Sequence, residues 1–286
     1  MSRFMNNVRT AMLLALLMAI FVFIGYSLFG ERGLVIGLLL GGVTNIFAYF
    51  FSDKIALATM NAQAVTERDS PELVRLVREL AQKADLPMPR VYIVPQQAPN
   101  AFATGRNPQN AVVAVTHGLL QMLDYNELKG VIGHELGHVK HRDILIQTVA
   151  ATVAGAISAL GYLLWFIPMG SGERRGGNPL AALALIILAP IAAALIQMAI
   201  SRRREFNADS FGAEMAGNPM FLATALEKLQ VANRRVPMMV PLDTQKNMFI
   251  VEPFTGREMA NLFNTHPSVK ARVQALIGRE TTGKVY

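Results

Sequence analysis

The sequence contains no cysteine and few charged residues. The lack of cysteine excludes disulfides and thiolate metal ligands, so any metal ion must be held by His, Asp or Glu. Only 16% of the 286 residues are charged, whereas 52% are hydrophobic. This balance is unusual for a water-soluble protein of this length and indicates a membrane protein.

Four stretches without any charged residue can each supply the roughly 20 apolar residues that cross a bilayer. They are residues 10–30, 33–52, 144–172 and 176–201. Only Glu31 and Arg32 lie between the first two stretches, which predicts a retained helical hairpin rather than a cleaved signal peptide. The second pair is rich in alanine and glycine, so buried helices of a soluble core are the alternative for it.

Basic residues beside the four stretches predict their orientation, because Lys and Arg are enriched on the cytoplasmic side. One side carries Arg3, Arg9, Lys54, Lys140, Arg142, Arg202, Arg203 and Arg204, and the other carries only Arg32, Arg174 and Arg175. Both termini and residues 53–143 are therefore expected in the cytoplasm, with the four helices in the membrane. The net charge is +7, and the basic residues cluster at the expected membrane edges. This arrangement indicates anionic lipid headgroups as partners and no nucleic acid.

The expected fold is a mainly α membrane protein with four transmembrane helices and an α+β cytoplasmic domain. The chain divides into a cytoplasmic N-terminus (1–9), a two-span hairpin (10–52), a first part of the domain (53–143), a second pair of spans (144–201) and a second part of the domain (202–286). Within the first part, Ser70 and Pro71 predict a helix start, residues 90–94 and 111–116 predict strands, and Asp124 with Glu127 predicts a capped helix. In the second part, helices are expected from Asn218 and from residues 266–268, the last one ending near Gly278.

A His-Glu-x-x-His pattern spans His134, Glu135 and His138. Residues four apart on a helix share a face, so the two imidazoles can converge on one zinc ion. Glu135 can reach a zinc-bound water and accept its proton as the water attacks a carbonyl. The alternative is a chance arrangement on an amphipathic helix, which three specified polar residues on an otherwise apolar helix disfavour. The pattern predicts one catalytic Zn²⁺ per chain.

A catalytic zinc site needs a third protein ligand, and Glu205 is the favoured candidate. It lies beyond the second pair of spans, and Asp209 follows it by one helical turn, where it can orient a zinc-bound histidine. The alternative is a solvated Glu and Asp that balance the neighbouring arginines. His141 is about 10 Å from His134 along a straight helix and is expected at the helix end. His117 is expected to be structural.

The ordered set of motifs resembles the HtpX-type membrane zinc metalloproteases, which are relatives of the endoplasmic-reticulum CAAX prenyl proteases. The resemblance covers the N-terminal hairpin, the Pro-Asn-Ala-Phe-Ala-Thr-Gly sequence at 99–105, the zinc motif, the second pair of spans, residues 205–209, and Thr265-His266-Pro267 with Arg272. It implies a zincin-like domain and endopeptidase activity on unfolded or membrane-protein substrates, in membrane quality control under stress and with partners from that pathway.

The resemblance also implies roles for individual residues. His134, His138 and Glu205 hold zinc, and Glu135 is the general base. Asn100 and His266 lie at the active site, where both can donate hydrogen bonds to a developing oxyanion. Without the resemblance, Asn100 is equally well a turn residue after Pro99, and His266 is equally well a helix cap.

The segment after Asn100 is expected to form an exposed sheet edge beside the zinc. An extended substrate can add there as a further strand, through main-chain hydrogen bonds. This substrate edge comprises Ala101, Phe102, Ala103 and Thr104. It predicts broad cleavage preferences and a requirement for unfolded substrate.

Two other functions are weighed against a membrane-interface protease. An intramembrane protease is disfavoured because burying the polar residues around the zinc motif in hydrocarbon is unfavourable. These residues are Asn126, Glu127, Lys129, Lys140, His141, Arg142 and Asp143. A non-catalytic adaptor or transporter with structural zinc is also disfavoured. Structural zinc normally takes four protein ligands, and the four apolar stretches contain no carboxylate for proton coupling.

Overall fold

An apolar helical hairpin opens the chain in the computed structural model, which describes residues 3–165, 202–235 and 267–278. Helix α1 (Arg3–Phe50) is interrupted at Gly30, whose φ of 59° lies in the left-handed region open to glycine. The parts on either side, Met5–Ser27 and Phe29–Phe50, are both long and apolar enough to cross a membrane. The predicted hairpin is therefore present.

The two arms of the hairpin pack at very short range. A Cβ on Gly33 would lie 1.8 Å from the carbonyl oxygen of Gly25, so neither arm tolerates a side chain there. Near the other end, Asn45 Nδ2 donates a hydrogen bond of 3.0 Å to the Leu14 carbonyl. These contacts pair early residues of one arm with late residues of the other, so the arms run antiparallel. Small residues permit such close backbone contact between membrane helices.

A four-stranded sheet follows the hairpin. After α2 (Ser52–Thr59), the elements are β1 (Gln63–Ala64), α3 (Pro71–Lys83), β2 (Arg90–Val94), β3 (Ala101–Thr104), a 3₁₀ turn (Pro108–Asn110) and β4 (Val112–Thr116). The strand order is β1-β2-β4-β3, with β2 and β4 parallel and the other two pairs antiparallel. The strands predicted at 90–94 and 111–116 and the helix start at Pro71 are confirmed, although the Ser70 side chain makes no capping bond.

Strand β3 lies at the edge of the sheet, as predicted, but it is not exposed. All four of its residues are buried, because α5 and α6 lie against it. Phe102 packs with Leu57, Met60 and Val94 in a small hydrophobic cluster and is only 2% exposed. The prediction of an exposed edge is wrong for the side chains. The main chain of this strand, rather than its side chains, is what it can offer to a ligand.

Helix α5 carries the zinc motif and is fixed at both ends. After α4 (His117–Met122), the Asp124 side chain accepts hydrogen bonds from the first turn of α5 (Tyr125–Lys140), and Glu127 reaches back to the Asp124 amide. The predicted capping box is confirmed. His141 caps the other end and is exposed, as expected. Helix α6 (Ile144–Trp165) then begins within three residues.

The described residues of the two domain parts, 53–143 and 202–286, pack into one body around α5. Helices α7 (Arg202–Ala216) and α8 (Pro219–Arg235) cover α5, and α9 (Val269–Ile277) packs on both. The shared core includes Ile132, Leu136, Leu222 and Leu226, each fully buried. The helix starts predicted near Pro219 and Ser268 and the end at Gly278 are confirmed.

Helix α6 joins this body to the hairpin. Leu13 and Leu17 of α1 pack with Val149, Val153 and Ile157 of α6 in a second buried cluster. The rest of the third apolar stretch beyond residue 165 and the whole of the fourth, 176–201, lie outside the described residues. The structure thus contributes two candidate membrane spans, and the predicted third and fourth spans stay predictions.

Candidate metal centre

His134 and His138 lie one turn apart on α5 and face the same point. Their Nε2 atoms are 3.2 Å apart, and their rings stand nearly perpendicular. Both side chains are buried, at 1% and 4% exposure. The convergence predicted from the four-residue spacing is therefore present in the folded chain.

Glycines at the contact of α5 and α7 bring the third polar group within reach. A Cβ on Gly133 would lie 3.1 Å from Gly212 backbone atoms, and one on Gly137 would lie 3.1 Å from the Ala208 Cα. The two helix backbones therefore meet almost directly. This close approach carries Glu205, in the first turn of α7, to the two histidines.

Glu205 completes a buried group of three candidate metal ligands. Its Oε2 lies 3.9 Å from His134 Nε2, and its Oε1 lies 3.6 Å from His138 Nε2. One ligand atom from each residue lies within 4.8 Å of the others. Two imidazoles and one carboxylate with an open fourth position are a donor set suited to catalytic zinc. The residues present therefore fit a metal ion.

The charge distribution of the cluster also favours a cation. Burial lowers the pKa of His138, but the carboxylates of Asp143 and Glu205 outweigh it and raise the pKa to about 9. Burial lowers the pKa of His134 to about 4, although Asp209 opposes this change. In the metal-free protein His138 therefore carries the additional proton of an imidazolium, whereas His134 is neutral. A metal ion would replace this proton in the field of the carboxylates.

Asp209, one turn after Glu205 on α7, lies beside His134. Its Oδ1 lies 2.9 Å from His134 Nδ1, which directs the Nε2 of that ring toward Glu205. Arg272, only 1% exposed, donates to both Asp209 oxygens at 2.8 and 2.6 Å. Burial raises the pKa of Asp209, but Arg272 outweighs burial and lowers this pKa to about 2. The carboxylate therefore stays ionised.

Sequence reasoning assigned no role to two residues that the fold places in the site. Arg272 belongs to a shared motif, but its pairing with Asp209 joins residues 63 positions apart. The sequence marks Asp143 only as one of several polar residues near α5, yet its Oδ2 lies 3.5 Å from His138 Nδ1. The one available signal was its position directly after the end of the zinc-motif helix.

Glu135 faces the edge strand. Its Oε2 accepts a hydrogen bond of 2.8 Å from the Ala103 main-chain N–H. Burial raises the pKa of Glu135 to about 7, and nearby Glu205 adds to this effect. The carboxyl group therefore sits between the ligand cluster and β3, with a pKa suited to taking up and releasing a proton near neutral pH.

Of the two remaining predicted site residues, the structure describes Asn100 and does not describe His266. Asn100 directly precedes β3 and is 2% exposed, and its main chain exchanges hydrogen bonds with Thr116. His266 lies outside the described residues. The residue that caps α9 is Ser268, since its side chain accepts a hydrogen bond from the Ala271 amide.

Comparison with known proteins gives concordant matches. The sequence profile described as "Peptidase family M48" matches residues 67–280. "Protease HtpX homolog" of Burkholderia cenocepacia (strain HI2424) is 50% identical over 283 residues, covering 98% of this chain and 99% of that protein. The protein of the same name from Burkholderia mallei (strain SAVP1) is 48% identical over 281 residues, with the same coverage of both chains.

A solved structure shares the fold. The crystal structure of S. mikatae Ste24p aligns with a TM-score of 0.50 at 16% sequence identity, over 96% of this chain and 66% of that one. This chain thus spans just under two thirds of the length of that protein. With two apolar helices able to cross a bilayer and a buried ligand cluster, the chain is a membrane-associated metalloprotease. It belongs to peptidase family M48.

Proposed function

We propose that the chain is a zinc endopeptidase in which His134, His138 and Glu205 hold the ion. The observation that carries this proposal is the convergence of three buried ligand atoms within 4.8 Å, from helices that are distant in sequence. When bound, zinc lowers the pKa of a coordinated water to about 7 and polarises the scissile carbonyl.

Glu135 acts as the general base. It takes the proton of the attacking water and passes it to the leaving amine. Its pKa of about 7 supports both transfers at neutral pH. Asn100 and His266 donate hydrogen bonds to the oxyanion; for Asn100, its position directly before the strand that contacts the general base supports this role. Asp209 keeps the His134 ring in its ligating orientation.

The substrate is an extended peptide that pairs with the main chain of β3. The Asn100 carbonyl accepts a hydrogen bond from Thr116, so alternate residues of the strand face β4. Ala101 and Ala103 consequently direct their main-chain groups away from β4, where the Ala103 N–H meets Glu135. Because only an unfolded or locally extended segment can add there, misfolded membrane proteins are the expected substrates, in quality control under stress.

The protease domain and both termini lie on the cytoplasmic side of a bacterial inner membrane. The excess of basic residues on that side of the four apolar stretches supports this orientation. The Asn6 side chain near the start of α1 also contacts Asp143, beside the ligand cluster. The N-terminal end of the hairpin and the metal centre therefore share one side.

The test compares the full-length wild type with Glu135→Gln in detergent, on an unfolded membrane-protein substrate. The wild type is expected to cleave with zinc and to stop when a chelator is added. Glu135→Gln is expected to bind zinc with wild-type stoichiometry and to lose cleavage, because the amide accepts no proton from water. Normal cleavage by Glu135→Gln would disprove the base assignment. Zinc binding without cleavage by the wild type would favour a structural site.

A further inference from the structure

Each of the two metal-centre histidines faces a carboxylate, and each carboxylate faces a buried arginine. His134 faces Asp209, which pairs with Arg272. His138 faces Asp143 at 3.5 Å, and Asp143 Oδ1 lies 3.7 Å from Arg204 Nη1. All four of these partner side chains are at most 4% exposed. The distances from His138 to Asp143 and from Asp143 to Arg204 are longer than the corresponding distances in the His134 set. Asp143 also contacts Asn6.

The turn at the end of α5 fixes the main chain of Asp143. The Asp143 amide donates to the His138 carbonyl at 2.9 Å, and the Arg142 amide donates to the Val139 carbonyl at 3.1 Å. Arg142 has a φ of 59°, in the left-handed region that ends many helices. This hydrogen-bond pattern turns the chain back over the last turn of the helix. Asp143 therefore comes to lie beside the His138 ring.

Asn6, near the start of α1, fixes the side chain of Asp143. Its Nδ2 donates to Asp143 Oδ1 at 3.0 Å and to the Arg142 carbonyl at 3.3 Å. Asn6 is 5% exposed, so this amide is withdrawn from solvent. With Oδ1 taken by Asn6, the other oxygen of Asp143, Oδ2, is the one that faces His138 Nδ1.

We propose that Asn6 is a positioning residue of the metal centre, acting through Asp143 on His138. A histidine that binds metal through Nε2 needs its Nδ1–H held by an acceptor, which fixes both the tautomer and the ring orientation. Asp143 Oδ2, at 3.5 Å from His138 Nδ1, is the carboxylate oxygen placed to take this role, and Asn6 sets the rotation of its carboxylate. The inference rests on the proposed metal site. It makes the first membrane helix a functional part of the centre as well as an anchor.

The packing of the hairpin supports this role. Leu13 and Leu17 of α1 are buried against Val149 and Val153 of α6, and α6 begins at the residue after Asp143. The depth of α1 relative to α6 therefore determines where Asn6 meets Asp143. Because Asn6 and Asp143 are 137 residues apart, the contact forms only when the hairpin is docked.

The experiment measures zinc affinity in the full-length protein in detergent, by competition with a chromophoric chelator. Partners of zinc-bound histidines typically contribute about 10–100-fold to metal affinity, so Asp143→Asn is expected in that range and Asn6→Ala near its lower end, about 10-fold. Adding Asn6→Ala to Asp143→Asn is expected to weaken binding no further, because Asn6 acts through the carboxylate. The matched control is Asn7→Ala, which removes an exposed asparagine at the adjacent position of α1.

Thermal unfolding of the metal-free variants separates positioning from folding. Asn6→Ala is expected to leave the metal-free melting temperature near that of wild type while zinc affinity falls. An unchanged zinc affinity would overturn the inference. So would a loss that adds fully to that of Asp143→Asn, or one matched by an equal loss of metal-free stability. A wild-type protein that binds no zinc would instead refute the proposed function.

Discussion

Replacing Gly212 with alanine tests how the third ligand reaches the two histidines. The new Cβ would lie 2.8 Å from the His134 main-chain nitrogen and 2.9 Å from the Gly130 carbonyl oxygen. Ordinary non-bonded contacts are about 3.5–4.0 Å, so α7 has to move away from α5 by roughly 0.7 Å. Both obstructing atoms belong to the α5 backbone, which cannot rotate aside. The displacement therefore passes to Glu205, two turns earlier on α7.

The expected loss appears mainly in metal binding. Ligand distances in zinc sites vary by only about 0.2 Å, so a shift of this size strains the site. Overpacking of this kind typically costs about 1–3 kcal/mol, which corresponds to about 5- to 150-fold in zinc affinity if the metal-bound state bears it all. In the metal-free protein the helices can separate, and alanine in place of glycine returns about 0.5–1 kcal/mol of helix stability. Zinc affinity is thus expected to fall more than metal-free stability.

A graded series of glycine variants provides the assay and its controls. Gly133→Ala meets Gly212 and Met215 atoms at 3.1 Å and is expected to lose less zinc affinity than Gly212→Ala. Gly42→Ala meets only the Met18 Cε, at 3.9 Å, and is expected to match the wild type. Zinc affinity is measured by chelator competition and metal-free stability by thermal unfolding. Wild-type zinc affinity in Gly212→Ala would refute the argument that helix proximity places the third ligand.

Three further variants test separate contacts. Arg142→Gly is expected to raise the melting temperature, because a non-glycine residue in the left-handed region costs about 1–2 kcal/mol. Arg142→Ala keeps that strain and serves as the control. Equal melting temperatures for the Gly and Ala variants would contradict this reasoning. Arg272→Met is expected to destabilise by about 3–5 kcal/mol, because it leaves Asp209 buried without its cation. Since the pKa of Asp209 is lowered from 3.8 to about 2, the wild-type pair stabilises fully above about pH 4 and loses its effect as pH falls through 2. In Arg272→Met burial acts on Asp209 without this counterion, so the destabilisation relative to wild type is expected to shrink as pH falls and Asp209 is protonated, as pH-dependent unfolding would show. Ala103→Pro removes the N–H that binds the general base, so it is expected to lower turnover with zinc affinity intact. Phe102→Pro instead removes an N–H that faces β4, so it is expected to lower stability.

Local sequence signals predicted most of the elements around the centre. The strand from Arg90 to Val94, the capping box of Asp124 and Glu127 and the helix end at Gly278 depend on neighbouring residues and were all found where predicted. The convergence of His134 and His138 follows from helix periodicity alone. Selection of Glu205 depended on the histidine motif and its need for a third ligand, because the approach of Glu205 depends on a helix contact that periodicity does not specify.

Burial of the edge strand was not predictable from its own residues. A strand at a sheet edge is exposed unless another element covers it, and the covering helices α5 and α6 follow it in sequence. Thr104 illustrates this dependence, since its hydroxyl is 3.0 Å from that of Thr148 on α6, in a buried contact. The apolar pattern of the strand fits either outcome. Only the packing of the membrane-proximal helix on the domain distinguishes them.

The two carboxylates beside the histidines differ in how visible they are in the sequence. Asp209 is one turn from the candidate ligand Glu205 on the same helix, so periodicity identifies it. Asp143 lies past the end of its helix, where its direction depends on a left-handed turn at Arg142 and on an amide donated from Asn6. An aspartate after a helix is ordinarily solvated, and its position directly after the zinc-motif helix is the single local signal for this one. Its orientation is a property of the docked hairpin, so agents that separate α1 from α6 should weaken zinc binding before they unfold α5.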